Sequence, residues 1–205
     1  MTTADSSTGR RRTPSSDIRR ELLGAAEAVL ARQGPAGVTV RAVAAEAGIA
    51  PMGVYNRFGG KDGLVDALLI RGFDALRAAV ASRGEPDMLE RLRASGERYR
   101  QFALTSRHFY AILFEGAIPH DTISAEATGH AQAAFAALVA IVESAALAGV
   151  IAAPDPAETA QQIWSTVHGA VTLELQGLVL TPDPAQTYQD TIETLLRGLR
   201  SAGPA

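Results

Sequence analysis

The sequence predicts an all-α protein: an N-terminal three-helix helix-turn-helix unit on a larger C-terminal helical body, about nine helices in all. Three observations carry this. Apolar residues recur at helical spacing along most of the chain, as in Ile18, Leu22, Ala25, Ala26, Val29 and Leu30. No period-2 stretch of useful length and no internal repeat is present. Each break between periodic segments carries Gly or Pro, as in "QGPAG", "GAIPHD", "GVIAAPDP" and "TPDP".

The first helix starts near Ser15 or Ser16, which suit an N-cap, and ends at "QGPAG". The second follows Thr39, a good N-cap, with Val40, Val43, Ala44 and Ala47 on one face and Gly48 as its stop. The third begins near Ala50 and stops at Gly59 and Gly60. A fourth runs from Lys61 to Ser82 with Leu64, Leu68, Leu69, Phe73, Leu76 and Val80 inward. Longer segments follow: Pro86 to Thr105, a shorter one over "SRHFYAILFEG", Ser124 to Gly149, Pro156 to Val179, and Pro184 to Arg200. The alanine-rich helix from Ser124 keeps a stripe of Phe135, Leu138, Val139 and Val142, which marks it as a core helix. The domain boundaries expected are a flexible basic arm over 1–15, a helix-turn-helix domain over 16–64 with the motif itself at about 39–58, and a larger helical domain over 65–205.

Net charge is −3, yet residues 1–65 hold 9 basic against 6 acidic side chains while the remainder is acidic. A basic front on an acidic body suits an anionic partner at the front. The chain has no cysteine, which excludes disulfide scaffolds, zinc ribbons and cysteine nucleophiles. No apolar run approaches the ~20 residues of a membrane span, and no apolar segment follows the N-terminal arginines, so the expected location is cytoplasmic. Catalysis finds no support. The spacing of Glu126 and His130 is wrong for a carboxylate-bridged di-iron site, Ser165 lacks a nucleophile elbow, and no phosphate-binding glycine loop occurs. His108, His120, His130 and His168 are scattered, so neither a metal site nor a cofactor is expected.

A helix-turn-helix lays its second helix into the major groove, N-terminal part first. That helix needs a firm start, small residues where it meets base edges and polar groups for phosphate. Pro51 suits the first helical position, whereas Ala50 is a weak cap, costing about 1 kcal/mol against Ser or Thr. Gly53 permits close backbone approach, Met52 offers apolar contact to a base, and Tyr55, Asn56 and Arg57 offer hydrogen bonds. Arg41 adds charge on the preceding helix. Val54 and Phe58 face the core. Lys61, the only lysine in the chain, opens the next helix and suits a phosphate.

The stretch "VTVRAVAAEAGIAPMGVYNRFGGKDGLVDALL", Val38 to Leu69, resembles the DNA-binding region of the TetR family of bacterial transcriptional regulators. The resemblance implies a homodimer on a near-palindromic DNA operator, with a helical sensor body for an unidentified small molecule. It implies phosphate contacts at Thr39, Tyr55 and Lys61, and sequence preference set by Pro51, Met52, Gly53, Asn56 and Arg57. Two departures stand out: Ala50 where Ser or Thr is common, and Gly59-Gly60 where Pro-Ser is usual. The first removes that position's own phosphate contact; the second loosens the hinge into the fourth helix. Further on, "IWSTVHGAVTLELQG" and "YRQFALTSRHFYAILF" resemble a subgroup with a Trp-His-Gly type C-terminal domain.

In the body, Trp164 and His168 share a helix face one turn apart. Two readings stand for them, a ligand pocket wall or hydrogen-bonded core. Tyr99, Phe102, Phe109, Tyr110, Phe114 and Phe135 are the other candidates for such a wall. The resemblance places the dimer interface on the last two helices, with Val171, Leu175, Leu178, Ile192, Leu195, Leu196 and Leu199 as its apolar side chains. The function expected is a sequence-specific repressor released by a small molecule; the alternative is a helical ligand-binding or interaction module without specific DNA binding.

Overall fold

The computed structural model describes residues 15–200 apart from 82, 83, 117, 120 and 121. The N-terminal arm over 1–14 and His120 lie outside the described residues. Among those described, nine helices follow one another: α1 (Ser15–Gly37), α2 (Val40–Ala47), α3 (Pro51–Phe58), α4 (Lys61–Val80), α5 (Met88–Thr105), α6 (Arg107–Phe114), α7 (Ala125–Leu147), α8 (Pro156–Leu175) and α9 (Pro184–Leu199). The chain divides after Leu64 into two compact units.

In the first unit α1 is interrupted at Gly34, whose φ of 69° ends regular helix before Pro35. Its inward stripe of Leu22, Ala26, Val29 and Leu30 is buried together with Val38, Val43, Val54 and Phe58. The short helices are held by their ends. Thr39 Oγ1 accepts the Ala42 N–H at 3.1 Å, and Gly48, left-handed at φ 64°, closes α2 through its N–H. Arg32 grips the Glu46 carboxylate with two donors and ties α1 to α2. The Arg19 guanidinium lies 4.8 Å over the Phe58 ring, which covers the end of α3.

The turn from α3 to α4 is built on glycine. Gly59 caps α3 at φ 72° and Gly60 follows at φ 144°, so both glycines are demanded by the backbone path. A Cβ at Gly63 would stand 1.8 Å from the Phe58 carbonyl oxygen. Gly59 and Gly60 are thus set by backbone conformation and Gly63 by close packing.

In the second unit two helices start the same way. Asp155 and Asp183 cap α8 and α9, each accepting two backbone N–H groups at 3.0–3.1 Å, with proline in the first helical position. α8 stops at Leu175, short of the expected Val179, because Gly177 takes φ 70°. α5 is fastened on two sides. Arg100 makes a two-pronged ion pair with Glu174 of α8 at 2.6 and 2.7 Å, and the Tyr188 hydroxyl of α9 donates to the Gly96 carbonyl at 2.7 Å. On α4, Asp66 accepts the Ser124 N–H ahead of α7, and Asp74 lies 2.9 Å from His130 Nδ1.

Two expectations need correction. α7 is long and apolar enough, at a mean hydropathy of 1.5, to cross a membrane by length and composition, because alanine raises its average between isolated polar residues. It packs against α8 and α5 within the body. Val171, Ile192 and Leu196, expected on the mating surface, are at most 4% exposed and belong to the core of the single chain. Leu173, Leu178 and Leu180 are the large apolar side chains left open near them, with Leu175, Leu195 and Leu199 half-buried.

Candidate DNA interface and effector cavity

α3 sorts its eight residues by the helical period. Val54 and Phe58 point into the unit, while Pro51, Met52, Tyr55 and Asn56 form one exposed patch at i, i+1, i+4 and i+5. Met52 is 64% exposed and Tyr55 51%, unusual openness for side chains of that size. Thr39, Arg41 and Lys61 are also exposed, and neither cation has an ion-pair partner among the described residues. Ala50 supplies no side-chain cap. Gly53 N–H reaches back to the Ala50 carbonyl at 2.8 Å, and Pro51 has no N–H to satisfy at the front of the helix.

Two of the proposed contacts sit apart from this patch. Arg57 is half-buried, donates to the Gly53 carbonyl at 3.2 Å and turns along its own helix. Gly53 is half-buried as well, and a Cβ there would come 2.6 Å from Ile49 Cγ2. Its lack of a side chain is required by the packing of the turn, whatever it meets outside.

The body holds a cavity of roughly 540 Å³ between α4, α5, α6, α7 and α8. That volume lies within the range of small-molecule sites. Tyr99, Phe114, Phe135 and Trp164 line it. Phe102, Phe109, Tyr110 and His168 do not; the first three are at most 5% exposed and pack as core. The wall also includes Phe73, Leu76 and Val80 of α4, and Ser95 and Gly96 of α5, none of which the sequence singled out as pocket residues. A signal for the last two was present. Ser-Gly in the interior of a helix is a poor local choice, which points to a packing or site requirement.

Behind the aromatic wall lies a knot of hydrogen bonds. Tyr99 Oη sits 2.8 Å from His168 Nδ1 and accepts from Trp164 Nε1 at 3.4 Å. Tyr110 Oη is 3.0 Å from both His168 Nδ1 and Thr172 Oγ1. Nδ1 has one lone pair or one hydrogen, so it serves one tyrosine at a time. Burial holds the His168 imidazole below its usual pKa, and burial pushes both tyrosines up. The two residues thus differ: the Trp164 indole lines the cavity, and the His168 imidazole is half-buried and hydrogen-bonded to the tyrosines outside its lining. Among the described residues no His, Asp or Glu cluster is placed to hold a metal.

Residues 22–68 match the family model for bacterial regulatory proteins of the tetR family, and residues 92–195 match the tetracyclin repressor-like C-terminal domain. The chain belongs to the TetR family. As a member it is a DNA-binding, ligand-responsive regulator. A structure of a protein of unknown function from Rhodococcus sp. RHA1 is 27% identical, with a TM-score of 0.82 over 95% of this chain and 100% of that one. A TetR family protein from Vibrio parahaemolyticus is 19% identical, TM-score 0.73, over 91% and 100%. The fatty acid degradation regulator FadR from Bacillus halodurans is 20% identical, TM-score 0.69, over 94% and 100%. The last two share the fold with this TetR member. No curated protein matches the sequence.

Proposed function

We propose that this TetR-family protein is a cytoplasmic, homodimeric repressor released from a near-palindromic operator by a small molecule held in the body cavity. The observation that carries the reading is the cavity itself, roughly 540 Å³ and mostly apolar, with α4 contributing Phe73, Leu76 and Val80 to its wall. α4 is also the helix that follows the recognition helix α3 after the glycine turn. A ligand that favours one position of α4 over another shifts the population able to span two half-sites about 34–36 Å apart.

Within this reading Thr39, Tyr55 and Lys61 contact phosphate, and Met52 and Asn56 meet base edges. Pro51 starts the helix, Arg41 adds electrostatic attraction, and Gly53 and Arg57 shape the flank of the patch. Dimerisation falls to α8, α9 and the segment joining them, through Leu173 of α8 and Leu178 and Leu180 of the connection, completed by the half-buried Leu195 and Leu199 of α9. The body is assigned to the subgroup with a Trp-His-Gly type C-terminal domain on the strength of Trp164, His168 and Gly169.

Selection from a random duplex pool at low salt tests the DNA half. Enrichment of a near-palindromic duplex is expected; an unenriched pool would overturn the reading in favour of a helical ligand-binding module. Competition of that duplex by small-molecule extracts, lost when Ala131→Phe fills the cavity, tests the ligand half.

A further inference from the structure

We propose that the effector is an uncharged, flat aromatic molecule bearing one hydrogen-bond acceptor, docked with its polar end on Ser95 and the Trp164 indole. This deepens the proposed function and rests on the cavity being the effector site. Three observations converge on that class.

The first is aromatic lining. Of six phenylalanines, four tyrosines and one tryptophan in the whole chain, Phe73, Tyr99, Phe114, Phe135 and Trp164 line this one cavity. The Trp164 ring stands 6.0 Å from Phe114 and 6.2 Å from Phe135, tilted to each by about 55°. Rings at such distances pack on one another and present a continuous aromatic surface to the cavity they line.

The second is the polar end. Ser95 is 6% exposed, lines the cavity and has no hydrogen-bond partner among the described residues. A serine inside a helix commonly returns its hydroxyl to the carbonyl one turn back, as Thr105 does here, and Ser95 does not. The Ser95 hydroxyl is not fully enclosed, so a ligand in the cavity can take the place of solvent on it. Tyr99 stands one turn further along the same face of α5. Its oxygen receives the Trp164 N–H only at 3.4 Å, so that donor is held loosely. One acceptor on a ligand can take both the Ser95 O–H and the Trp164 N–H.

The third is charge. Among the described residues none that lines the cavity is an acid, a base or a histidine. Arg100 and Glu174 satisfy each other outside it, and His168 is engaged by the tyrosines behind the wall. An ionised ligand would lose its hydration with no counter-charge to replace it.

An isosteric series on the full-length protein tests this: 1-pyrenemethanol, 1-pyrenecarboxylate and 1-pyrenemethylammonium. Binding is read by quenching of Trp164, the only tryptophan in the chain. The alcohol is expected to bind about tenfold or more tighter than either ion. Ser95→Ala should weaken the alcohol roughly three- to tenfold, the loss of one hydrogen bond, and leave the ions unaffected. Ala131→Phe should abolish quenching by the alcohol, which ties the signal to the cavity. Equal or tighter binding of the carboxylate or the ammonium, quenching that survives Ala131→Phe, or no quenching by any of the three would overturn the proposal. Anisotropy of a selected duplex separates this from the function above. Selective binding of the alcohol that leaves DNA affinity unchanged supports the ligand class and contradicts the repressor reading.

Discussion

The two units of this protein place their functional residues along the chain in opposite ways. The patch proposed to read DNA comes from residues 39–61, close in sequence and exposed at the surface. The cavity wall comes from five helices between Phe73 and Val167, and its side chains range from buried, as Leu92 and Tyr99, to exposed, as Gln132 and Gln161. A patch of the first kind needs only a short helix correctly capped and turned. A wall of the second kind exists only when long helices stack in one register. The comparison predicts that damage to the first unit removes DNA binding and spares the cavity, and that damage to the second does the reverse.

The largest effect that would break or sharpen this contrast is at Gly63. Its added Cβ in Gly63→Ala would meet the Phe58 carbonyl at 1.8 Å, so the α3–α4 turn must open. The change is expected to destabilise the first unit by about 3 kcal/mol, the upper end for overpacking, with loss of duplex binding. Quenching of Trp164 by a cavity ligand should persist; its disappearance would mean that the two units do not fail separately.

Glu174→Ala is the counterpart in the body. It leaves Arg100 half-enclosed without its partner, and a cost of about 2 kcal/mol is expected, read as a lowered denaturant midpoint. Here ligand binding should weaken while the isolated chemistry of the recognition patch is untouched.

The smallest effect is a pH dependence at His168. Its folded-state pKa lies below the unfolded value, so the unfolded chain takes up a proton first as the medium is acidified. The stability this residue contributes is full above its ordinary pKa of about 6.5 and is lost as pH falls from there through the folded-state value. His168→Asn should flatten the fall in unfolding midpoint between about pH 7 and 5, while lowering stability at neutral pH through the lost contacts with Tyr99 and Tyr110. A slope equal to that of the parent protein would remove His168 from this account.

The same contrast explains what was legible in the sequence. Thr39, Gly48, Pro51 and Gly59 act through their nearest neighbours, so the helix-turn-helix could be drawn from local chemistry. The cavity could not. Tyr99, Phe114, Phe135 and Trp164 face it and Phe102, Phe109, Tyr110 and His168 do not, a division set by the rotation of each helix against its mates. An apolar stripe also does not say what covers it. Val171, Ile192 and Leu196 carry the same signal as a mating surface and are buried within the single chain. Gly63 escaped notice because an interior helical glycine looks like a defect until the carbonyl behind it is placed.

The most direct test of the central claim is the salt dependence of duplex binding by Lys61→Ala. Lys61 is exposed and opens α4 beside the recognition helix. If it neutralises one phosphate per subunit, the dimer loses two such contacts, and the slope of log affinity against log salt should flatten by about two, with weaker binding to every duplex. The same change at Arg197, an exposed cation near the end of α9, should leave the slope as it was. An unchanged slope and affinity for Lys61→Ala would contradict the assignment of this face to DNA.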